Sequence, residues 1–407
     1  MTVTTVKPEL REIVHNILVN NRRDFGGHQY TVPSPESYPY QWFWDSCFHA
    51  IILTHFELDD AKKELRSLVT KQFENGLIPH IIYWEKNSIL DLDWGVDGTS
   101  TLIQPPIIAY ALYRIYEKDG DKKFLEEMYP SLVRYYRYLI TRNSRENNLV
   151  NIINPDESGE DNSPRFDLPL AIAPKHSVEE HNMKRFSLFE ENKKCEFDSD
   201  CMQKHFWVKD VAINTYMVEN LEIMAKIAEE LSRKEDAEFF RAKNELLKSD
   251  MRSIMFEDGV YWNSLGVEFE KIKVKTWAIF APLVAGLYTK EEALLIVKKY
   301  LKDGKEFDSK YSLPTVSLSE ESYSPDESNW GQAWEHPNWR GPVWMASNWF
   351  VYRGLKKYGF DEEAEKLRKI SLNLIEKEGC REYYHPETGK GMGAQSFTWA
   401  GLVLDME

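Results

Sequence analysis

Helical periodicity recurs along nearly the whole chain, whereas strand signals are scarce. Apolar residues return every three or four positions in about twelve segments, a pattern typical of helices that bury one face. The sequence therefore predicts a mostly helical protein. An α-solenoid is the structural alternative, but no self-similarity at a fixed period appears. The predicted helices cover residues 8–21, 45–57, 59–74, 100–117, 122–142, 208–232, 234–255, 275–287, 290–302, 340–358, 361–377 and 396–405.

Four long segments have no clear periodicity. Loops of such length in a compact domain are usually functional, so we expect an active site beneath them. The most apolar helical strings should lie inside the fold. These strings are CFHAIILTHF, TLIQPPIIAYALYRIY and WAIFAPLVAGLY, and the aperiodic segments are 22–44, 75–99, 143–206 and 303–339.

Length and charge limit the classes of protein. The chain of 407 residues contains no Pro/Gly/Ser-rich linker, so we expect one domain over residues 1–407. Its net charge of −15 disfavours nonspecific binding to nucleic acid or to an anionic membrane. No run approaches the ~18 apolar residues of a membrane span, and the N-terminus lacks an apolar signal core. We expect a cytoplasmic protein that binds neither nucleic acid nor membrane. The sequence does not decide between a monomer and a homo-oligomer.

The four cysteines give no metal signature. Cys47 and Cys380 lie in apolar or motif contexts, while Cys195 and Cys201 flank the string EFDSD. A disulfide between the latter two is one alternative. Zinc sites use spaced sets of His and Cys, and no such quartet is present, so we expect neither metal nor cofactor.

Two segments place a carboxylate among aromatic residues and glycines. Asp161 lies in ESGEDNSPRFD, residues 157–167, and Glu382 lies in REYYHPETGKGMGAQSFTW, residues 381–399. Paired carboxyl groups suit the cleavage of a glycosidic bond, and the rings of 13 tryptophans and 21 tyrosines suit stacking on sugars. Two simpler alternatives are a calcium loop, whose ligand spacing is not met, and core packing for most of the rings. Glu387 is a competing base, but its setting is that of an exposed turn.

Four strings together resemble one enzyme family. They are YQWFWDSCFHA from Tyr40, ESGEDNSPRF from Glu157, NWRGPVWMASNW from Asn338, and REYYHPETGKG with its following FTW from Arg381. Their order and motifs resemble trehalases and, more closely, glycoside hydrolase family 63, because the glycine-rich GGGGEY string of trehalases is missing. The resemblance implies an all-α fold, a toroid of six helical hairpins with long active-site loops.

The resemblance also implies catalytic roles. Asp161 would be the general acid and Glu382 the general base of an inverting mechanism, with the two carboxyl groups about 6.5 to 9.5 Å apart. A general acid needs a raised pKa, which we expect burial or neighbouring carboxylates to provide for Asp161. We expect Arg165 to position the loop or the sugar. The neighbouring carboxylates are Glu157, Glu160 and Asp167.

Further residues are candidates for substrate binding. Asp45 begins a helix, where it would either cap backbone amides or, as the family match implies, bind sugar hydroxyls. The predicted binding set is Trp42, Trp44, Asp45, Gln104, Arg165, Trp339, Arg340, Gly341, Tyr383, Gln395 and Trp399.

The length resembles that of the short family members, which hydrolyse mannosylglycerate or glucosylglycerate. Glycerate carries a carboxylate, so we expect Arg340, Gln395 and aromatic groups of residues 30–44 to bind an anionic aglycone of a small carbohydrate substrate. The alternatives are an α-glucosidase or trehalase-like hydrolase of a neutral sugar, and a non-catalytic carbohydrate-binding toroid. Phosphorolysis is disfavoured because no glycine-rich phosphate cradle is apparent.

Overall fold

The computed structural model describes residues 6–85, 92–142, 147–326 and 338–407. This part of the chain is largely helical. Its α-helices are α1 (Pro8–Asn21), α2 (Phe43–Leu53), α3 (Leu58–Val69), α4 (Ile108–Asp119), α5 (Lys122–Thr141), α6 (Val178–Lys194), α7 (Ser199–Met202), α8 (Val211–Glu230), α9 (Lys234–Asp250), α10 (Pro282–Ala285), α11 (Lys290–Ile296), α12 (Met345–Tyr358) and α13 (Asp361–Glu378). Short 3₁₀ helices cover Pro155–Ser158, Pro164–Phe166, Trp277–Ile279 and Thr398–Asp405.

The strands are short and form only small antiparallel sheets in the described ranges. Two of these sheets border the site discussed below: β3 pairs with β4, and β10 pairs with β11. The strands are β1 (Arg22–Phe25), β2 (His28–Thr31), β3 (Gln41–Trp42), β4 (Ile81–Ile82), β5 (Val208–Lys209), β6 (Phe256–Glu257), β7 (Val260–Tyr261), β8 (Asn263–Leu265), β9 (Glu270–Ile272), β10 (Arg381–Tyr384) and β11 (Gly391–Gln395).

Six elements form a closed inner ring. Around the ring, α2 packs on α4, α4 on α8, α8 on α10, α10 on α12, α12 on the 3₁₀ helix Thr398–Asp405, and this last element on α2. An outer layer packs behind it, with α3, α5, α9 and α13 each beside the inner helix next to it in sequence, and α1 behind Thr398–Asp405. The predicted all-α toroid of six hairpins is therefore confirmed.

Burial explains which helices lie inside. Every residue of α2 is buried, and so are most residues of α8, because apolar and small side chains predominate in both helices. The outer helices α3 and α13 bury one face and expose charged residues on the other. The three apolar strings of the sequence lie in α2, α4 and around α10, as predicted.

Proline and glycine account for the largest differences from the predicted boundaries. The helix predicted from residue 100 begins at Ile108, after Pro105 and Pro106, because proline disfavours helical conformation in the residue before it. Pro282 and Gly286 likewise confine α10 to four residues, where a helix over 275–287 was predicted. The helix predicted from residue 340 begins at Met345, after Gly341, whose φ is +146°, and Pro342.

Helix α6 lies inside the segment 143–206, for which no helix was predicted. Only four of its 17 residues are buried, so its sequence lacks the apolar stripe by which helices are recognised. Ser177 caps its N-terminus by accepting from the backbone N–H of Glu180. Cys195, at the end of α6, forms a disulfide with Cys201. Disulfides are rare in the cytosol, so the cytoplasmic location stays a prediction.

In the described ranges, every helix is too short or too polar to cross a membrane.

Candidate active site

A cavity of about 320 Å³ opens where the inner elements begin. Trp44 and Asp45 lie in the first turn of α2, Gln104 precedes α4, Trp344 caps α12, and Trp399 opens the final 3₁₀ helix. The N-terminal ends of four of the six ring elements therefore meet at this cavity. Eight predicted site residues line the cavity: Trp42, Trp44, Asp45, Gln104, Asp161, Trp339, Glu382 and Trp399.

Glu382 is buried in the wall of this cavity. It lies on β10, with 3% of its surface exposed. The Tyr38 hydroxyl donates to Oε1 and the Ala394 backbone N–H donates to Oε2, each at 2.7 Å. Burial outweighs these two bonds and raises the pKa of Glu382 to about 7. A carboxyl group with such a pKa can accept a proton near neutral pH.

A glycine on the facing strand makes room for that carboxylate. Gly393 has a φ of +64°, and a Cβ atom there would lie 2.5 Å from Oε2 of Glu382. The glycine-rich string after Glu382 thus allows β11 to approach the carboxylate closely.

Asp161 projects from a loop whose other residues are held by the protein. Glu160, just before it, accepts from the indole Nε1 of Trp277 at 3.0 Å. Asn162, just after it, accepts from the backbone N–H of Trp339 at 2.9 Å. With both neighbours fixed, the Asp161 side chain lines the cavity and is 30% exposed.

The other carboxylates of this loop pair with arginines. The three loop carboxylates that were expected to act on Asp161 each face a guanidinium group instead. Two other carboxylates, Asp156 and Glu382, interact electrostatically with Asp161. The loop pairs are Glu157 with Arg142, Glu160 with Arg165, and Asp167 with Arg340.

Arg185 supplies a cation that the sequence analysis missed. It lies on α6, where its Nη1 is 2.7 Å from Oδ2 of Asp161 and its Nη2 donates to Asp156. The side chain lines the cavity. One turn earlier on α6, burial together with the nearby guanidinium groups lowers the pKa of His181 to about 3. No signal in the sequence marks Arg185, because α6 is weakly periodic and the ion pair spans 24 positions.

Aromatic rings form the floor of the cavity. Trp339 and Trp344 stack with ring centroids 4.0 Å apart, and Trp44 meets Trp399 edge to face at 4.9 Å. Gly159 is needed beneath Trp44, since a Cβ atom there would lie 2.5 Å from the indole. The flat apolar faces with polar edges are suited to sugar rings.

Asp45 is a second buried carboxyl group in this floor. It accepts a hydrogen bond from Nε1 of Trp399, and burial raises its pKa to about 7. The backbone N–H of Trp44, at the start of α2, is instead satisfied by Oε1 of Gln104 at 3.0 Å. Gln104 therefore has a capping function in addition to its place in the cavity wall.

Five predicted binding residues do not line the cavity. Arg165 donates to Glu160 and Asp210, so it ties the loop to the start of α8. Arg340 donates to both oxygens of Asp167 at 2.8 Å. Gly341 has a φ of +146° and lies against Tyr323 and Pro325. The ring of Tyr383 packs against that of Trp344, with the centroids 5.2 Å apart. Gln395 is exposed at the end of β11.

Several cavity residues lie outside the predicted set. Tyr38 belongs to the aromatic segment 30–44, so the sequence marked its neighbourhood but not its contact with Glu382. Six others also lie in stretches that the sequence had marked, but nothing in the sequence singled out the residues themselves. His80, Tyr83 and Trp94 lie in the segment 75–99, Asp156 and Arg185 in the segment 143–206, and Trp344 in the block from Asn338.

Comparison with known proteins identifies the family. Residues 38–400 match the mannosylglycerate hydrolase MGH1-like glycoside hydrolase domain. Mannosylglycerate hydrolase of Thermus thermophilus is 32% identical over 92% of this chain and 95% of its own length. Glucosylglycerate hydrolase of Mycolicibacterium hassiacum is 29% identical, over 92% and 93%.

A solved structure agrees with this assignment. A family 63 mannosylglycerate hydrolase from Thermus thermophilus, in complex with Tris and D-glycerate, superposes with a TM-score of 0.86 at 30% identity, covering 98% of this chain and 99% of that one. The resemblance in the four sequence blocks is thus confirmed. The chain belongs to the mannosylglycerate hydrolase MGH1-like members of glycoside hydrolase family 63, and it is a glycoside hydrolase.

Proposed function

We propose that this protein hydrolyses an α-glycoside of glycerate, mannosylglycerate or glucosylglycerate, with inversion at the anomeric carbon. The observation that carries the proposal is that Asp161, Glu382 and Arg185 line the same aromatic cavity. Two carboxylates meet the need for an acid and a base, and the cation meets the need for a partner of the glycerate carboxylate. The names of the similar proteins give the same substrate class.

Glu382 acts as the general base. It takes a proton from water as the water oxygen bonds to the anomeric carbon. Tyr38 and the Ala394 N–H orient the carboxylate, and each of its oxygens keeps a further lone pair for the water. The pKa of about 7 makes Glu382 a stronger base than an ordinary glutamate, while it remains largely ionised above neutral pH.

Asp161 acts as the general acid and donates its proton to the glycosidic oxygen as the bond to the anomeric carbon breaks. In the free protein, its carboxylate is paired with Arg185. A substrate carboxylate that binds the guanidinium group takes over this pairing. Asp161, released from this ion pair, takes up a proton from water and passes it to the leaving oxygen, and the proton that Glu382 takes from the attacking water returns to solvent, so that one water is consumed and no net proton. The anionic aglycone thus contributes to catalysis as well as to binding.

The glycone binds on the aromatic floor. Asp45 and Gln104 offer a carboxyl group and an amide to the sugar hydroxyls, and both lie beside Trp44. Buried polar groups of this kind select among sugars strongly, because a missing hydroxyl leaves them unpaired.

A substrate panel tests the proposal. The purified protein is assayed with α-mannosylglycerate, α-glucosylglycerate, the two matching glycosylglycerols, trehalose, kojibiose and nigerose. The kcat/KM for one glycosylglycerate should exceed that of its glycerol analogue by ~100-fold or more, and the same panel decides between mannose and glucose. Equal rates on the acid and the neutral analogue would favour a general α-glucosidase. A complete absence of hydrolysis would favour a carbohydrate-binding toroid.

A further inference from the structure

A cluster of three metal-ligating side chains lies outside the cavity wall. Asp167, His176 and His181 bring one potential ligand atom each to within 4.8 Å of one another. Asp167 follows the 3₁₀ turn Pro164–Phe166, His176 lies in the segment before α6, and His181 lies in the first turns of α6. One continuous segment, residues 167–181, therefore brings the three side chains together at this point.

The ring of His176 is oriented by the backbone. Its Nδ1 lies 2.7 Å from the carbonyl oxygen of Ala173. A carbonyl oxygen only accepts, so Nδ1 carries the hydrogen and the lone pair of a neutral ring is on Nε2. A backbone carbonyl that fixes one ring nitrogen in this way is the usual support of a histidine metal ligand.

His181 is buried without a hydrogen-bond partner in the part of the chain that the structure describes. Its exposed fraction is 5%, and neither Nδ1 nor Nε2 forms a hydrogen bond there. Its ring stacks on that of His176, with the centroids 5.4 Å apart. Burial of a polar group without a partner is costly, and a bound ion would supply the partner.

Asp167 completes the set with a carboxylate that is already positioned. Both of its oxygens accept from Arg340, and each oxygen retains a second lone pair. Ligating carboxylates are commonly hydrogen-bonded in this way. The two nearby guanidinium groups are already paired with carboxylates, Arg340 with Asp167 and Arg185 with Asp156 and Asp161.

We propose that Asp167, His176 and His181 bind a divalent transition-metal ion of the zinc type. Two imidazoles and one carboxylate form a ligand set that zinc accepts, with water in the remaining position. Metal–ligand distances of about 2.0 to 2.2 Å place the ligand atoms of a tetrahedral site roughly 3.4 Å apart. The ligand atoms now lie within 4.8 Å of one another and the two imidazole planes are 15° apart, so side-chain rotations must bring the atoms up to about 1.4 Å closer and turn both rings toward the ion.

The ion would fasten the end of the Asp161 loop to α6. His181 and Arg185 lie four residues apart on α6, on the same face, so the clamp would also fix the helix that carries Arg185. The role is structural, since none of the three ligands lines the cavity. Metal binding and hydrolysis are thus separable properties of the chain.

The test uses the full-length protein after removal of metals with EDTA. Zn²⁺ binding is measured by calorimetry, and Co²⁺ binding by its ligand-field absorption. We expect one ion per chain, an unfolding midpoint raised by about 3 °C at a hundredfold excess over Kd, and slower amide exchange in the first turns of α6. His176→Gln and His181→Gln should each abolish this binding. His205→Gln is the matched control, because that side chain is 37% exposed and lies outside the cluster.

Each outcome decides the proposal. Stoichiometric binding that is lost in both cluster variants and kept in the control supports it. No binding to the parent protein, or binding that persists in the variants, overturns it, as does binding that disappears in the His205 variant as well. If His181→Gln does not fold, His176→Gln at the less buried position decides alone.

Discussion

The guanidinium group of Arg185 is paired with the carboxylate of Asp161, with Nη1 and Oδ2 2.7 Å apart. The candidate general acid thus has a cationic partner that a substrate carboxylate can take over. In the proposed mechanism this relationship joins substrate recognition to acid catalysis, and it gives the first prediction.

Replacement of Arg185 should weaken the hydrolysis of anionic substrates selectively. In Arg185→Gln, kcat/KM for the preferred glycosylglycerate should fall about 10- to 100-fold, because a charge-assisted hydrogen bond of about 1.5 to 3 kcal/mol is lost. The rate on the matching glycosylglycerol should change much less. Steady-state kinetics with both substrates measure the ratio. The control is Lys194→Gln, since Lys194 is an exposed cation on the same helix. An equal loss of kcat/KM on both substrates in the Arg185 variant would show that Arg185 only supports the fold.

Removal of either catalytic carboxyl group should lower turnover strongly. Asp161→Asn and Glu382→Gln should each reduce kcat by ~10² to 10⁴ while circular dichroism and the unfolding midpoint stay close to those of the parent. An aryl glycoside, whose leaving group needs no proton, should restore much of the rate in Asp161→Asn and little in Glu382→Gln. Glu387→Gln serves as the control, since Glu387 is exposed in the turn after β10. Turnover near that of the parent in either catalytic variant would remove that carboxylate from the mechanism.

The pH profile should report the base. Because burial raises the pKa of Glu382 to about 7, kcat/KM should decline as the pH falls below about 7, where the carboxylate gains a proton. The hydrogen bond from Tyr38 favours the ionised form and so lowers this pKa. In Tyr38→Phe the acid limb should therefore move to higher pH. The control is Tyr113→Phe, at a half-exposed position on α4, which should leave the acid limb of the pH profile in place. An acid limb that moves to lower pH or does not move in Tyr38→Phe would contradict the role of Glu382 as the base.

Local motifs were enough to find the two carboxylates. Asp161 and Glu382 each lie in a string of turn residues and glycines. In the structure, the glycines of these strings make room for neighbouring side chains. Gly159 makes room for Trp44, and Gly393 makes room for Glu382. Periodicity predicted only that the chain is mostly helical, and the ring itself was implied by the family resemblance.

The contacts of the arginines were not predictable. Arg165 and Arg340 stand in family motifs, but a buried arginine that pairs with a carboxylate of its own chain has the same local sequence as one that binds a ligand. Their partners Asp210 and Asp167 are known only from the folded chain. Arg185 was missed for the opposite reason. It lies on a polar helix without an apolar stripe, so its sequence gave neither the helix nor the contact.

The anomer released first tests the central claim most directly. The preferred α-glycosylglycerate is hydrolysed inside the NMR spectrometer, and proton spectra are recorded before the free sugar mutarotates. If Glu382 activates a water on the face opposite the aglycone, the β-anomer appears first and the α-anomer grows in later. Initial release of the α-anomer would mean retention of configuration, and it would contradict the role of Glu382 as the base.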